Sequence, residues 1–183
     1  MGCVRVSPSS WPRDGHSEGL SEPAVTTLRT LPLPDGVPGR AWLSDMPGRA
    51  QPWPQFLAEA ADVGVTRVVC LTPRHEIASV SPAYRDALDA GDLPFAWQHM
   101  PLRDYGLALE PQAFRDAIEG LAARLRAGES VLLHCAAGIG RTGTVAACLL
   151  KCLGWPTPLA LQQVRAAGSN PQSALQSGVI ELF

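Results

Sequence analysis

A short apolar run, a glycine-rich turn and a longer apolar run follow one another in SVLLHCAAGIGRTGTVAACLL, Ser130 to Leu150. The first run has the length of a strand buried on both faces. The second has the length of a helix and carries almost no polar residue, so it belongs inside a core. A strand, a tight loop and a buried helix in that order predict one half of a βαβ unit. Two chemistries fit the loop. Gly138, Gly140 and Gly143 spell G-x-G-x-x-G, a dinucleotide fingerprint. The same residues spell His134-Cys135-x5-Arg141-Thr142, a pocket for a phosphate attacked by sulfur.

The rest of the chain supplies the setting. Residues 1–24 are rich in Ser, Pro, Gly and charge and predict a loosely ordered arm; residues 25–183 predict one domain. VTTLRTLPL and GRAWLSDMP read as short strands joined by the turn PDGVPG. WPQFLAEAADVGV reads as a helix with Trp53, Phe56, Leu57, Ala60 and Ala61 on one face, ended by Gly64. TRVVCLT and FAWQHMPL are further strands. SPAYRDALDAGD is a helix with a Ser cap, a first-turn Pro and Gly91 as its stop. EPQAFRDAIEGLAARLRAGE, TGTVAACLLKCLGW, TPLALQQVRAAG and PQSALQSGVIELF complete the helices. Strands alternating with helices predict an α/β fold: a central, mainly parallel sheet of about five strands with helices on both faces. Right-handed crossovers place the carboxyl ends of the strands on one edge, where ligands collect. The loops after Leu71, Leu102 and His134 share that edge.

The dinucleotide reading demands an Asp or Glu about twenty residues past the glycines to hold a ribose hydroxyl. No acidic residue lies between Gly143 and Val179. A nucleoside-triphosphate loop would need a lysine that is absent here. The sulfur reading meets its demands. A thiolate is stabilised by a helix N-terminus, by amide N–H groups and by a nearby guanidinium. Ala136, Ala137, Gly138, Ile139 and Gly140 can curl into an amide nest around an anion. Arg141 offers a planar fork to two phosphate oxygens.

HCAAGIGRTG resembles the signature of the cysteine-dependent tyrosine and dual-specificity protein phosphatases. The resemblance implies a phosphocysteine intermediate on Cys135 and transition-state binding by Arg141. It implies that the Thr142 hydroxyl eases departure of the thiolate, and that His134 holds the loop rather than moving protons. A leaving alkoxide or phenoxide needs an acid. Asp104, in the loop RDYGLALE and 31 positions before Cys135, occupies the place matching the family's acid loop. From Leu43 to Phe183 the chain is most similar to the cyclin-dependent-kinase-associated dual-specificity branch, through DVGVTRVVCLTPRHEI, DYG and VAACLL. There Gln172 and Gln176 match the glutamines that aim the hydrolytic water. Cys70, near the end of TRVVCLT, is a candidate redox partner for Cys135.

The expected substrate is a phosphorylated protein, on tyrosine and on serine or threonine. The alternatives are an inactive phosphate-binding module and a phosphoinositide phosphatase; the latter often carries lysines inside the loop, and CAAGIGR has none. A formal net charge of −2 predicts no nucleic-acid or membrane partner. Five scattered cysteines without CxxC predict neither a disulfide scaffold nor a metal site, and no cofactor is expected. With no apolar segment of signal or spanning length, a cytoplasmic location is expected.

Overall fold

The computed structural model describes residues 26–102 and 110–183. Its elements in chain order are β1 (Arg29–Leu31), β2 (Arg40–Ser44), α1 (Trp53–Asp62), β3 (Arg67–Cys70), α2 (Arg74–Val80), α3 (Pro82–Ala90), β4 (Ala96–His99), α4 (Pro111–Arg126), β5 (Ser130–His134), α5 (Gly140–Cys152), α6 (Thr157–Ala166) and α7 (Ala174–Leu182). The five strands form one sheet in the order β1-β2-β5-β3-β4. Only β1 runs antiparallel, as a hairpin partner of β2; the other three pairings are parallel.

Side-chain alternation along β5 divides the core in two. Leu132 is level with Trp42 and Val68 and packs with them against Phe56 and Ala60 of α1. Val131 and Leu133 face the other way, with Leu43 and Val69, against α4, α5 and α6. Every residue of β5 is buried, as its unbroken apolar run requires of a central strand. From Gly140 to Leu150 every residue of α5 is buried as well, enclosed by the sheet, α4, α6 and α7. That enclosure explains why this helix is apolar all round from Val145 to Leu150. It also fixes the helix N-terminus directly behind the carboxyl end of β5.

Four local expectations change. α2 has no counterpart in the sequence reading, because seven residues with only Ile77 buried carry no period. Ala61 is exposed rather than on the buried face of α1. Ser81 stands at the N-cap of α3, but its hydroxyl makes no cap bond and is buried without a partner among the described residues. α5 begins at Gly140, two residues before the expected start at Thr142. The carboxyl edge also gathers a fourth loop, the one after β2, because β2 runs parallel to β5. Among the described residues no helix is long and apolar enough to cross a membrane, and no three His, Cys, Asp or Glu side chains cluster as metal ligands would.

Candidate active site

Cys135 is the first residue beyond β5, and its side chain is only 3% exposed. The chain then turns within five residues into α5, and the backbone N–H of Gly138 donates to the Cys135 sulfur at 3.2 Å. The loop's carbonyls are tied outward. Ala136 O accepts from the Met46 N–H at 3.2 Å and from Arg49 Nη1 at 3.0 Å. Gly138 O accepts from Arg29 Nη2 and from Ser169 Oγ, each at 2.6 Å. Ile139 O accepts from the Gly143 N–H at 2.8 Å and the Asn170 N–H at 3.3 Å. A trans peptide carries its N–H opposite its C=O. The amides of Ala137, Ile139 and Gly140 therefore face away from these anchors.

The glycines of this stretch are explained by contact rather than by nucleotide binding. Gly138 has φ +69°, and a Cβ there would lie 2.3 Å from Ser44 O. A Cβ on Gly143 would lie 2.8 Å from the Asn170 backbone nitrogen. Both positions exclude a side chain because rigid backbone stands in the way.

Arg141, on the first turn of α5, is 4% exposed. Its Nη1 and Nη2 donate to the two carboxylate oxygens of Glu76, at 2.9 and 2.8 Å, and Nη1 also reaches Leu102 O at 3.4 Å. This two-point grip sets the plane of the guanidinium. Glu76 was not singled out in the sequence. The available signal was chemical: a buried arginine needs an acidic partner, and Glu76 lies just past the carboxyl end of β3. Arg29, Arg49 and Asp45 were also missed. Burial pushes the Asp45 carboxyl up, against the pull of Arg49 and Arg29.

His134 ends β5 and is fully buried. Its Nδ1 lies 3.3 Å from Cys135 O, so Nδ1 carries the proton and donates to that carbonyl. Trp97 Nε1 donates to the Tyr84 hydroxyl at 2.7 Å, and that hydroxyl donates to His134 Nε2 at 3.1 Å. With the imidazole and the phenol both neutral, every donor in the series meets an acceptor. Burial pushes the Tyr84 hydroxyl well above its usual range and lowers His134 to about 4. The folded chain thus releases a proton here that the unfolded chain keeps below pH 6.5. The stability contributed by neutral His134 is complete above pH 6.5 and is lost as pH falls toward 4. Urea titrations of wild type should lose on the order of 3 kcal/mol more than His134→Gln over that window. Equal losses in both proteins would refute the assignment.

The remaining sequence candidates divide. The Thr142 hydroxyl is buried and has no hydrogen-bond partner among the described residues. Gln176 is buried, and its Oε1 accepts the Gln172 N–H at 2.6 Å, so its amide shapes the lead into α7. The Gln172 carboxamide lies against the loop; a Cβ on Gly140 would be 2.7 Å from its Oε1. Cys70 is level with His134 and packs with Ile77 and Tyr84, with Ala136 of the loop against the same cluster. The Cys70 sulfur lies 3.2 Å from Thr72 Oγ1, and both Cys70 and Cys135 are free thiols. Asp104 lies outside the described residues, as does the arm of residues 1–24.

Residues 46–178 match the family model described as "Swiss Army Knife protein, DSP-PTPase phosphatase domain". A comparison with curated protein sequences finds no match. Among solved structures, kinase associated phosphatase with its catalytic-site cysteine replaced by serine superposes with a TM-score of 0.72 at 21% identity, covering 85% of this chain and 92% of the other. Tk-PTP in its active form gives 0.65 at 25% identity, over 85% and 95%. The human tyrosine phosphatase-like serine/threonine/tyrosine-interacting protein gives 0.63 at 18%, over 85% and 93%. The sheet order and the loop geometry fit that match, and the chain belongs to the DSP-PTPase phosphatase family.

Proposed function

We propose that this chain hydrolyses phosphate monoesters on proteins, at tyrosine and at serine or threonine, through a phosphocysteine intermediate on Cys135. The observation that carries the reading is one loop in which a backbone N–H meets the Cys135 sulfur while Arg141, six residues on, is held in a fixed plane by Glu76. The Cys135 thiolate attacks phosphorus; the S–P bond forms as the ester O–P bond breaks. The inward amides of the loop and the Arg141 fork take up charge on the equatorial oxygens. Asp104 donates a proton to the departing oxygen. Water, aimed by Gln172, then attacks phosphorus and gives its proton to the Asp104 carboxylate, as the S–P bond breaks and the Cys135 sulfur leaves as thiolate. The Thr142 hydroxyl, without a partner among the described residues, is the donor that meets it. His134 keeps its proton on Nδ1 throughout. Gln176 acts by fixing the Gln172 backbone.

The test is turnover of p-nitrophenyl phosphate and of phosphotyrosine, phosphoserine and phosphothreonine peptides, with acid quench inside the first turnover. Mass spectrometry should find one phosphoryl group on the peptide containing Cys135. Asp104→Ala should slow the phosphopeptides by about 10²-fold or more and the nitrophenyl ester much less, since a good leaving group needs little protonation. Binding of phosphopeptide with neither turnover nor adduct would replace this reading with that of a binding module.

A further inference from the structure

We propose that Arg29, from β1, is a positioning residue of the phosphate loop: with Ser169 it holds the Gly138 carbonyl outward, so that the Ile139 amide faces the bound anion. This rests on the reading of Cys135 and Arg141 as a phosphate site. The matched family region begins at residue 46, so the strand that supplies Arg29 lies outside it.

The geometry is closed on every side. A carbonyl oxygen has two lone pairs, and those of Gly138 are met by Arg29 Nη2 and Ser169 Oγ. Arg29 Nη1 donates to Gly168 O, so one guanidinium bridges the phosphate loop to the turn after α6. Gly168 lies hard against that group; a Cβ there would come within 2.8 Å of Arg29 Nη1. Ala136, Ala137, Gly138 and Gly140 have no side chains large enough to fix their own peptide planes. Their orientation has to be imposed from outside. A Gly138 carbonyl turned inward would set a negative dipole against the thiolate and the phosphate.

The placement of Arg29 is itself built. Thr27 and Leu28 donate their backbone N–H groups to Glu59 Oε1, and Thr27 Oγ1 donates to Glu59 Oε2. Leu28 and Leu31 are buried in opposite cores, and Arg29 is level with Leu43 in the hairpin. Burial pushes the guanidinium down, while the negative charges of Asp45 and Cys135 push it back up. A surface arginine chosen for solubility has none of these features.

The experiment compares full-length Arg29→Met, Arg29→Lys and Ser169→Ala with wild type. It reads kcat and KM for p-nitrophenyl phosphate, inhibition or binding by orthovanadate, the pH profile of Cys135 alkylation by iodoacetamide, and thermal unfolding. Arg29→Met should lower kcat/KM and weaken vanadate by about 10- to 100-fold, equivalent to about 1.4–2.8 kcal/mol at 1.4 kcal/mol per decade. The loss should fall mainly on kcat, and alkylation of Cys135 should slow at a fixed pH. Arg29→Lys should recover part of each effect, and Ser169→Ala should lose about 3- to 10-fold in the same direction. A folded Arg29→Met with kinetics, vanadate affinity and alkylation within twofold of wild type would overturn the proposal. Should Arg29→Met not fold, unchanged readouts in Arg29→Lys and Ser169→Ala would overturn it equally. Vanadate binding and alkylation do not require turnover, so an inactive wild type would end the phosphatase reading while leaving the test of Arg29 intact.

Discussion

Cys135→Ser is expected to lower kcat toward p-nitrophenyl phosphate by on the order of 10⁵-fold, the scale seen when a nucleophile is removed from an assembled site. The reason lies in the proton. The attacking species is a thiolate, and a serine hydroxyl is far harder to ionise than a thiol and a poorer nucleophile when it is not ionised. Serine keeps the volume of the side chain within a small margin, and the Gly138 N–H can donate to its oxygen as it does to sulfur. Folding should therefore be preserved. The anchors on Ala136 O, Gly138 O and Ile139 O do not involve the sulfur, so the amides of the loop keep their direction. Phosphate or phosphopeptide should bind the variant within a few-fold of wild type. Steady-state assays and calorimetry on the same preparation separate the two effects. Activity within tenfold of wild type would show that sulfur is not the nucleophile.

The parts of this molecule legible in its sequence are those specified by neighbouring residues. β5 and α5 from Gly140 to Leu150 are enclosed, and that enclosure is written as the apolar runs Val131–Leu133 and Val145–Leu150. The loop between them is compact enough for a motif to describe. The half-buried acidic partner and the outer anchors are a different matter. Glu76 meets Arg141 across 65 positions, Arg29 meets Gly138 across 109, and Arg49 meets Ala136 across 87. Each side chain, taken alone, resembles a solvated surface residue, and only the sheet order brings it to the loop. The glycine pattern misdirects for a related reason. Gly138 and Gly143 answer to the backbones of Ser44 and Asn170, which no local pattern can name. Gln172 and Gln176 read as an equivalent pair four apart. The fold treats them unequally, because α7 begins between them and buries only the second.

Glu76→Ala should be the most damaging change outside the loop itself. It removes the paired carboxylate from a guanidinium that is 4% exposed, while Glu76 retains 26% exposure at its own side chain. Breaking a fully buried pair costs about 3–5 kcal/mol because the remaining charge stays in a poor medium. The partial exposure of Glu76 lets water reach the vacated side, which reduces the expected loss to about 2–3 kcal/mol in urea unfolding. The kinetic cost follows a separate route. The two Glu76 contacts, at 2.9 and 2.8 Å, are the short charge-assisted ones, and Leu102 O at 3.4 Å is a weaker acceptor, so loss of the carboxylate loosens the guanidinium plane. A fork displaced by about 1 Å forfeits on the order of 10²-fold in rate, so kcat/KM should fall by about 10²- to 10³-fold, with vanadate affinity falling in step. Glu76→Gln keeps one acceptor oxygen in place and discards the charge; about a tenfold loss is expected. Because Glu76 acts only through Arg141, adding Glu76→Ala to Arg141→Lys should cost far less than the product of the two single effects. Independent, multiplying losses would mean that Glu76 serves the site by some path other than the guanidinium it grips.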